Sequence, residues 1–275
     1  CLRMSVWSSI EPLPKNMSII HIGIRDWELA KNYHTEQAIL GNVKTTLLNL
    51  NKTIANNLNK KYKNNANRRI KEIEKINWSK NKKNLTSTTL KDKDIIPITP
   101  DWLMMTLAEN ISNNNIVVEE ALVSSRSLLN FLPFKNSKDF YGLASGGIGW
   151  AVSGCIGVSL ANTNKTIVAI IGDGSSMYAI QSIWTAAHYN LPIIYVIANN
   201  QSYRIIKERL EGFHNNTNFV GMDFNKPKID FVKLGNSMGV ESMQVSEPTE
   251  LKSLFKKAFK YKKPYLIEVM VDKGY

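Results

Sequence analysis

Two runs of consecutive apolar residues, 167–171 and 192–198, limit what this chain can fold into more than any other feature. Neither run alternates apolar with polar residues, so a strand formed by either one would be apolar on both faces. Such strands are typical of parallel sheets that are covered by helices on both sides. The segments around them alternate between strand and helix patterns. We therefore predict an α/β fold with a doubly wound parallel sheet and helices on both faces.

The same patterns predict the individual elements from residue 98 onward. Strands are predicted at 116–118, 166–171, 192–198, 240–243 and 264–271, and helices at 99–107, 147–160, 176–188, 229–238 and 248–261. Before them we predict a strand at 17–23, a short helix capped by Asp26 and a helix over 43–54. These early elements are too few for an independent core, and residue 1 is Cys rather than Met. We therefore expect residues 1–58 to be the remnant of a domain whose beginning is missing.

Positive charge is concentrated in one segment between the two regions. The chain has 275 residues, 35 Lys+Arg and 23 Asp+Glu, for a formal net charge of +12. Ten basic residues lie between Lys60 and Lys83, opposed only by Glu72 and Glu74. This segment could be a nucleic-acid-binding patch or a solvated linker. We favour a linker over residues 59–95, because only Tyr62 and Trp78 could stack on bases. The predicted α/β domain then spans 96–275.

Composition excludes several other classes of protein. The hydrophobic fraction of 43% is that of a globular protein, which argues against global disorder. Two cysteines, Cys1 and Cys155, cannot form a disulfide scaffold or a four-cysteine zinc site. The apolar run 167–171 is too short to cross a bilayer, and the first residues lack the pattern of a signal peptide. We expect a cytoplasmic protein with no membrane partner.

Two of the predicted strands end in residues that can bind a phosphorylated ligand. The first strand is followed by Gly172-Asp173-Gly174-Ser175-Ser176 and the second by Asn199-Asn200. Parallel sheets bind ligands at the carboxyl ends of their strands. The 24 residues between Gly174 and Asn199 leave room for one helix and one strand. A single right-handed crossover would therefore bring the two strand ends together.

The residue types at these two strand ends predict a magnesium-bridged diphosphate site. The Asp173 carboxylate and the Asn200 amide oxygen are hard oxygen ligands suited to Mg²⁺. Gly172 and Gly174 allow close approach of the backbone to a phosphate. Ser175 and Ser176 open the next predicted helix, whose first N–H groups attract anions. Either motif alone would be an ordinary turn, but both together, one crossover apart, favour a functional site. Rossmann and Walker phosphate-binding patterns are both absent from the sequence.

These motifs and their spacing resemble a known family. Gly172-Asp173-Gly174, the spacer and Asn199-Asn200 are similar to the thiamine-diphosphate signature of the decarboxylase and acetolactate synthase superfamily. Segments 141–161, 170–203 and 264–269 resemble the diphosphate-binding domain of benzoylformate decarboxylase-like enzymes. The resemblance covers residues 98–275 well, whereas residues 17–58 resemble the end of that family's middle domain more weakly.

The resemblance implies roles for individual residues. Asp173, Asn200 and the backbone carbonyl of Ser202 are expected to bind Mg²⁺. The remaining expected cofactor contacts come from several loops and are Gly146, Ile148, Gly172, Gly174, Ser175, Tyr178, Ser124 and Ser125. Among these, the Gly146 backbone would accept from the aminopyrimidine, and Ile148 would support the bent shape of the cofactor. Ile205 and Ile206 would face the substrate pocket, with ordinary helix packing as the alternative.

The resemblance also implies an activity, with three departures. It implies a thiamine-diphosphate- and Mg²⁺-dependent enzyme that decarboxylates a 2-oxo acid or performs carboligation, as a homodimer or homotetramer when full length. Arg204 stands where the family often has Gly. No histidine matches a catalytic position, and the family's activating glutamate belongs to a separate N-terminal domain, so we assign no catalytic residue. We expect the chain to be inactive alone. It could instead be the diphosphate-binding subunit of a split enzyme or, through residues 60–83, a nucleic-acid-binding protein.

Overall fold

A computed structural model describes residues 13–14, 16–134, 136–143 and 146–274. The chain divides into two compact units, Cys1–Lys75 and Ile76–Tyr275. The boundary between them falls inside the basic segment that we predict to be a linker. That segment is largely helical, because it contains α2 (Lys60–Glu74) and α3 (Trp78–Thr89). The domain limits at residues 58 and 95 stay a prediction.

The first unit contains a small parallel sheet followed by two helices. Strands β1 (Ile20–Gly23) and β2 (Gln37–Leu40) pair in parallel, and a 3₁₀ turn at Asp26–Glu28 lies between them. Helix α1 (Val43–Asn56) precedes α2, and the side chain of an asparagine accepts a hydrogen bond from a first-turn amide at the start of each. Strand β2 was not predicted. Among the described residues, neither helix carries a buried side chain.

The second unit is built on a six-stranded parallel sheet. Its strands are β3 (Asn115–Glu120), β4 (Phe140–Gly142), β5 (Thr166–Gly172), β6 (Ile193–Asn199), β7 (Glu241–Val245) and β8 (Tyr265–Met270). Their order across the sheet is β4-β3-β5-β6-β8-β7, and every neighbouring pair is parallel. The predicted α/β parallel-sheet fold is therefore confirmed, with β4 as an additional short edge strand.

Apolar side chains cover both faces of this sheet, as the continuous apolar runs predict. Successive residues of β5 enter two different cores: Val168 and Ile170 lie in one, and Ile167, Ala169 and Ile171 in the other. The first core includes residues of α4 (Pro100–Ala108), α5 (Leu128–Phe131) and α11 (Leu251–Lys260). The second includes residues of α6 (Trp150–Ala161), α8 (Ile183–His188) and α10 (Phe231–Ser237). Helices thus cover both faces, which is the doubly wound arrangement.

The helix predicted over 176–188 is wrong as a continuous element. The chain forms α7 (Asp173–Ser176), a 3₁₀ turn at Ile180–Ser182 and then α8. The break falls at Ala179, whose backbone is not helical (φ −145°, ψ 25°), and the turn before it is closed by bonds from the Tyr178 and Ala179 N–H groups to the Ser175 and Ser176 carbonyls. Because α7 is a single turn, the predicted attraction of anions rests on the N–H groups of that turn alone and stays a prediction. Helix α9 (Arg204–His214) was not predicted.

Among the described residues, no helix is long and apolar enough to cross a membrane.

Because the middle of β5 is buried, shortening a side chain there should strongly lower the free energy of unfolding. Ile170 is fully buried, so Ile170→Ala should lower the free energy of unfolding by about 2–5 kcal/mol through lost apolar contact and the cavity left behind. Leu160→Ala, at an exposed position of α6, should change it by less than about 0.5 kcal/mol. Urea unfolding of both variants measures the difference. Equal effects would contradict the assignment of β5 to the core.

Candidate functional site

The pairing of β5 with β6 brings the two predicted motifs to the same edge of the sheet. Gly172, the last residue of β5, is the register partner of Ala198 on β6. Asp173 directly follows Gly172 at the end of β5, and Asn199 and Asn200 directly follow Ala198 at the end of β6. The proximity expected from a single crossover is therefore present.

The side chains of Asp173 and Asn200 converge on one backbone amide. The Ser202 N–H donates to Asp173 Oδ2 at 3.2 Å and to Asn200 Oδ1 at 3.0 Å. All three residues are buried. The structure therefore brings together the three residues that we expect to bind Mg²⁺, and two of them direct oxygen atoms toward the third.

The donor set at this point fits a hard divalent cation. It offers a carboxylate and a side-chain amide oxygen, which Mg²⁺ accepts together with phosphate and water oxygens. The Ser202 hydroxyl is buried and has no hydrogen-bond partner among the described residues, so an added polar group would satisfy it. In the described part of the chain no three His, Cys, Asp or Glu side chains cluster as a metal site. The present set is of a different kind, with only one carboxylate.

Burial changes the electrostatics of Asp173. Loss of solvation raises the pKa of Asp173 to about 6, although hydrogen bonds from backbone amides oppose the shift. One of these bonds is from the Gly174 N–H to Asp173 Oδ1, at 2.8 Å. A nearby cation favours the ionised form of a carboxylate, so a bound metal would offset the cost of burying this charge.

Gly174 is packed so closely that no side chain fits at this position. A Cβ atom there would lie 2.6 Å from Cε1 of Tyr203 and 3.3 Å from Cε2 of Phe224. The two rings pack edge to face, with centroids 4.5 Å apart. The turn after β5 is thus fixed against the segment that follows Ser202.

Most of the predicted site residues line one groove at this edge of the sheet. The groove has a volume of about 90 Å³, smaller than the roughly 300–1,000 Å³ of pockets that enclose a whole ligand. The groove can therefore enclose only one end of a larger molecule. The predicted residues in its lining are Ser124, Ile148, Gly172, Asp173, Gly174, Ser175, Asn200, Ser202, Ile205 and Ile206.

Three predicted cofactor contacts lie outside this lining. Gly146 is exposed and has a positive φ of 77°. Tyr178 is also exposed. It contacts Tyr203, whose pKa is raised first by the burial of Tyr203 itself and then by the hydrogen bond with Tyr178. Ser125 is buried, and its hydroxyl donates to the Glu119 carboxylate. The cofactor roles of these three residues stay predictions.

Glu120 was missed by the sequence analysis and lies in the groove lining. It is the last residue of β3 and is buried. Its carboxylate accepts the backbone N–H groups of Gly149 at 2.5 Å and Ala151 at 2.7 Å. Burial raises the pKa of Glu120, and the two backbone bonds oppose the shift. A charged residue at the end of an apolar strand was the available signal, but its partners lie 29 and 31 residues away.

A third buried carboxylate, that of Glu268, contacts the Asn199 side chain. Glu268 accepts from Asn199 Nδ2 at 2.6 Å and from Gln244 Nε2 at 3.0 Å. These residues line a separate cavity of about 250 Å³, which Asp173 also borders. Asn199, the first asparagine of the motif, therefore supports the strand edge, whereas Asn200 faces the groove.

Comparison with known proteins identifies the family. The chain belongs to the thiamine pyrophosphate enzymes, because the model of their C-terminal TPP binding domain matches residues 124–269, more than half of the chain. Thiamine pyrophosphate is the same compound as thiamine diphosphate, and Mg²⁺ is its usual partner metal in this family. The oxygen donors and the closely packed glycine described above fit this cofactor and metal.

Individual relatives include both decarboxylases and acetolactate synthases. The chain is 27% identical to benzoylformate decarboxylase of Pseudomonas aeruginosa, over 63% of the chain and 32% of that protein. It is 25% identical to the acetolactate synthase large subunit of Cyanidium caldarium, over 97% of the chain and 44% of that protein. Its structure is similar to that of the thiamine diphosphate-dependent 4-hydroxybenzoylformate decarboxylase of Rhodococcus jostii RHA1, with a TM-score of 0.61, 29% identity and coverage of 65% of this chain and 33% of the other. The chain spans less than half the length of each.

The packing around Gly174 predicts a position-specific effect of adding one methyl group. Gly174→Ala should lower the free energy of unfolding by about 1–3 kcal/mol, because the new Cβ would overlap the Tyr203 ring. Gly157→Ala is the matched control: a Cβ in the middle of α6 meets nothing within 4 Å. This control should raise the free energy of unfolding by about 0.5–1 kcal/mol through helix propensity. Denaturant titration compares the two, and a neutral Gly174→Ala would contradict the packing described.

Proposed function

We propose that the groove beside Asp173 holds the diphosphate end of thiamine diphosphate together with Mg²⁺. The observation that carries this proposal is the convergence of Asp173 Oδ2 and Asn200 Oδ1 on the Ser202 amide. In the proposed site, Asp173, Asn200 and the Ser202 carbonyl bind the metal. Gly172, Gly174 and Ser175 form the wall beside the diphosphate.

The distribution of polarity along the groove supports one orientation of the cofactor. Polar residues at its floor, Asp173 and Asn200, are buried, whereas Ile148 and Ile206 at its rim are 40% and 43% exposed. The charged end of a bound molecule would therefore lie deep, and its apolar part beside the isoleucines. Ile205 and Ile206 would then face the substrate, and Ile148 would support the cofactor ring system.

The reaction that we propose is conversion of a 2-oxo acid, by decarboxylation or by carboligation of the acetolactate synthase type. Thiamine diphosphate supplies an electron sink that stabilises a carbanion at the reacting carbon. This chain's residues bind and orient the cofactor, and we assign none of them to proton transfer. A glutamate of an N-terminal domain would activate the cofactor in a cytoplasmic homodimer or homotetramer. Both reactions are proposed because one similar protein is a benzoylformate decarboxylase and another is an acetolactate synthase large subunit.

Removing a proposed metal ligand should weaken cofactor binding. Asp173→Ala and Asn200→Ala should each raise the dissociation constant for thiamine diphosphate with Mg²⁺ by at least about tenfold, because each loses an oxygen ligand. Asp94→Ala and Asn164→Ala, at exposed positions, serve as matched controls and should change it by less than about twofold. Calorimetric titration of the unaltered chain and of the four variants gives the five dissociation constants. Unchanged affinity in both site variants would refute the metal assignment.

If this chain binds the cofactor and a glutamate of another domain activates it, the chain should have no turnover by itself. With purified chain, thiamine diphosphate and Mg²⁺, release of carbon dioxide from benzoylformate and from pyruvate should equal that of cofactor and metal without protein. The reason is that the described groove holds one end of the cofactor and that the expected activating glutamate lies in another domain. Turnover clearly above the protein-free control would show that this chain carries its own activating group.

A further inference from the structure

The carboxylate of Glu120 accepts hydrogen bonds from the first backbone amides of α6. The two backbone N–H groups that it accepts, from Gly149 and Ala151, belong to the N-cap and the second residue of that helix. The first amides of a helix have no partner within the helix and carry partial positive charge. Gly149 and Ala151 are buried, so a missing acceptor would leave buried donors without partners.

The same carboxylate connects three segments that border the groove. Glu120 ends β3, where it is the register partner of Ile171 on β5. Its backbone bonds fix the loop that carries Ile148, and the Ser175 side chain also interacts with it. The loop and the turn after β5 are in close contact, since a Cβ on Gly149 would lie 2.5 Å from Cβ of Tyr178.

We propose that Glu120 is a positioning residue for the cofactor, which fixes Ile148 and Ser175 at the spacing that the bound cofactor requires. This inference rests on the function proposed above. In this role Glu120 acts through the backbone amides of Gly149 and Ala151 and through the Ser175 side chain. Its loss therefore lowers cofactor affinity by displacing the residues that contact the cofactor.

Two hydrogen-bond partners of the Glu120 carboxylate are backbone N–H groups, so a glutamine side chain cannot replace it. In Glu120→Gln, one oxygen becomes an NH₂ group that faces a backbone N–H, and a backbone N–H cannot turn into an acceptor. Glu268 provides the matched control, because it is buried equally well at the same edge of the sheet. Its partners are the side-chain amides of Asn199 and Gln244, and the Gln244 amide can rotate to offer its oxygen. Glu268→Gln is therefore accommodated, whereas Glu120→Gln is not.

The test is calorimetric titration of this chain and its variants with thiamine diphosphate and Mg²⁺, at a temperature where circular dichroism shows each variant to be folded. Glu120→Gln should raise the dissociation constant by roughly tenfold or more, and Glu268→Gln by less than about threefold. In Glu120→Ala, added formate should recover affinity in a saturable manner by filling the vacated position, while chloride at equal ionic strength should not. Recovery by formate is not expected if the substitution merely loosens the fold.

The outcomes separate this inference from the proposed function. If the unaltered chain does not bind thiamine diphosphate with Mg²⁺, the proposed function fails, and the inference fails with it. If the unaltered chain binds but Glu120→Gln and Glu268→Gln have equal affinities, only the positioning role is overturned. If Glu120→Gln does not fold, the formate titration of Glu120→Ala decides: no recovery of affinity overturns the proposal.

Discussion

The parallel pairing of β5 with β6 is the constraint on which the rest of the site depends. Both strands are apolar on both faces, so their only place is in the middle of a sheet covered by helices. Their register places Gly172 level with Ala198, and the polar residues that follow each strand meet for that reason. The chemistry of the site is therefore a direct consequence of burying two apolar strands side by side.

Sequence patterns predicted this part of the molecule because the signals are local. Continuous apolar runs indicate central strands, and a single crossover indicates which strand ends meet. The capping asparagines Asn59 and Asn77 are local signals too, yet the high charge of the segment obscured its helices. The helix predicted over 176–188 is interrupted at Ala179, whose backbone is not helical (φ −145°, ψ 25°), and no local sequence signal marks that break.

Contacts between distant segments were not predictable in the same way. Glu120 meets the start of α6, and Asn199 meets Glu268, 69 residues further on. No periodicity in the sequence indicates which backbone amide a buried carboxylate will accept. These contacts arise only once the sheet order has placed β3 beside β5 and β8 beside β6. The contacts of the buried carboxylates Glu120 and Glu268 are thus fixed by topology, whereas the groove-facing residues are recognisable from motifs.

The hydrogen-bond partners of the buried polar groups at this edge support the proposed ligand position. Burying a polar group without a partner costs about 1–3 kcal/mol, and the buried carboxylates at this edge all have partners. Glu120 has backbone amides, Glu268 has side-chain amides, and Asp173 accepts from Gly174 and Ser202. The Ser202 hydroxyl is buried without a partner among the described residues, as is the indole Nε1 of Trp150 at the start of α6. The backbone amide of Ser202 is the point on which the Asp173 and Asn200 oxygens converge, so its unpaired hydroxyl supports the position proposed for the metal and its phosphate ligands.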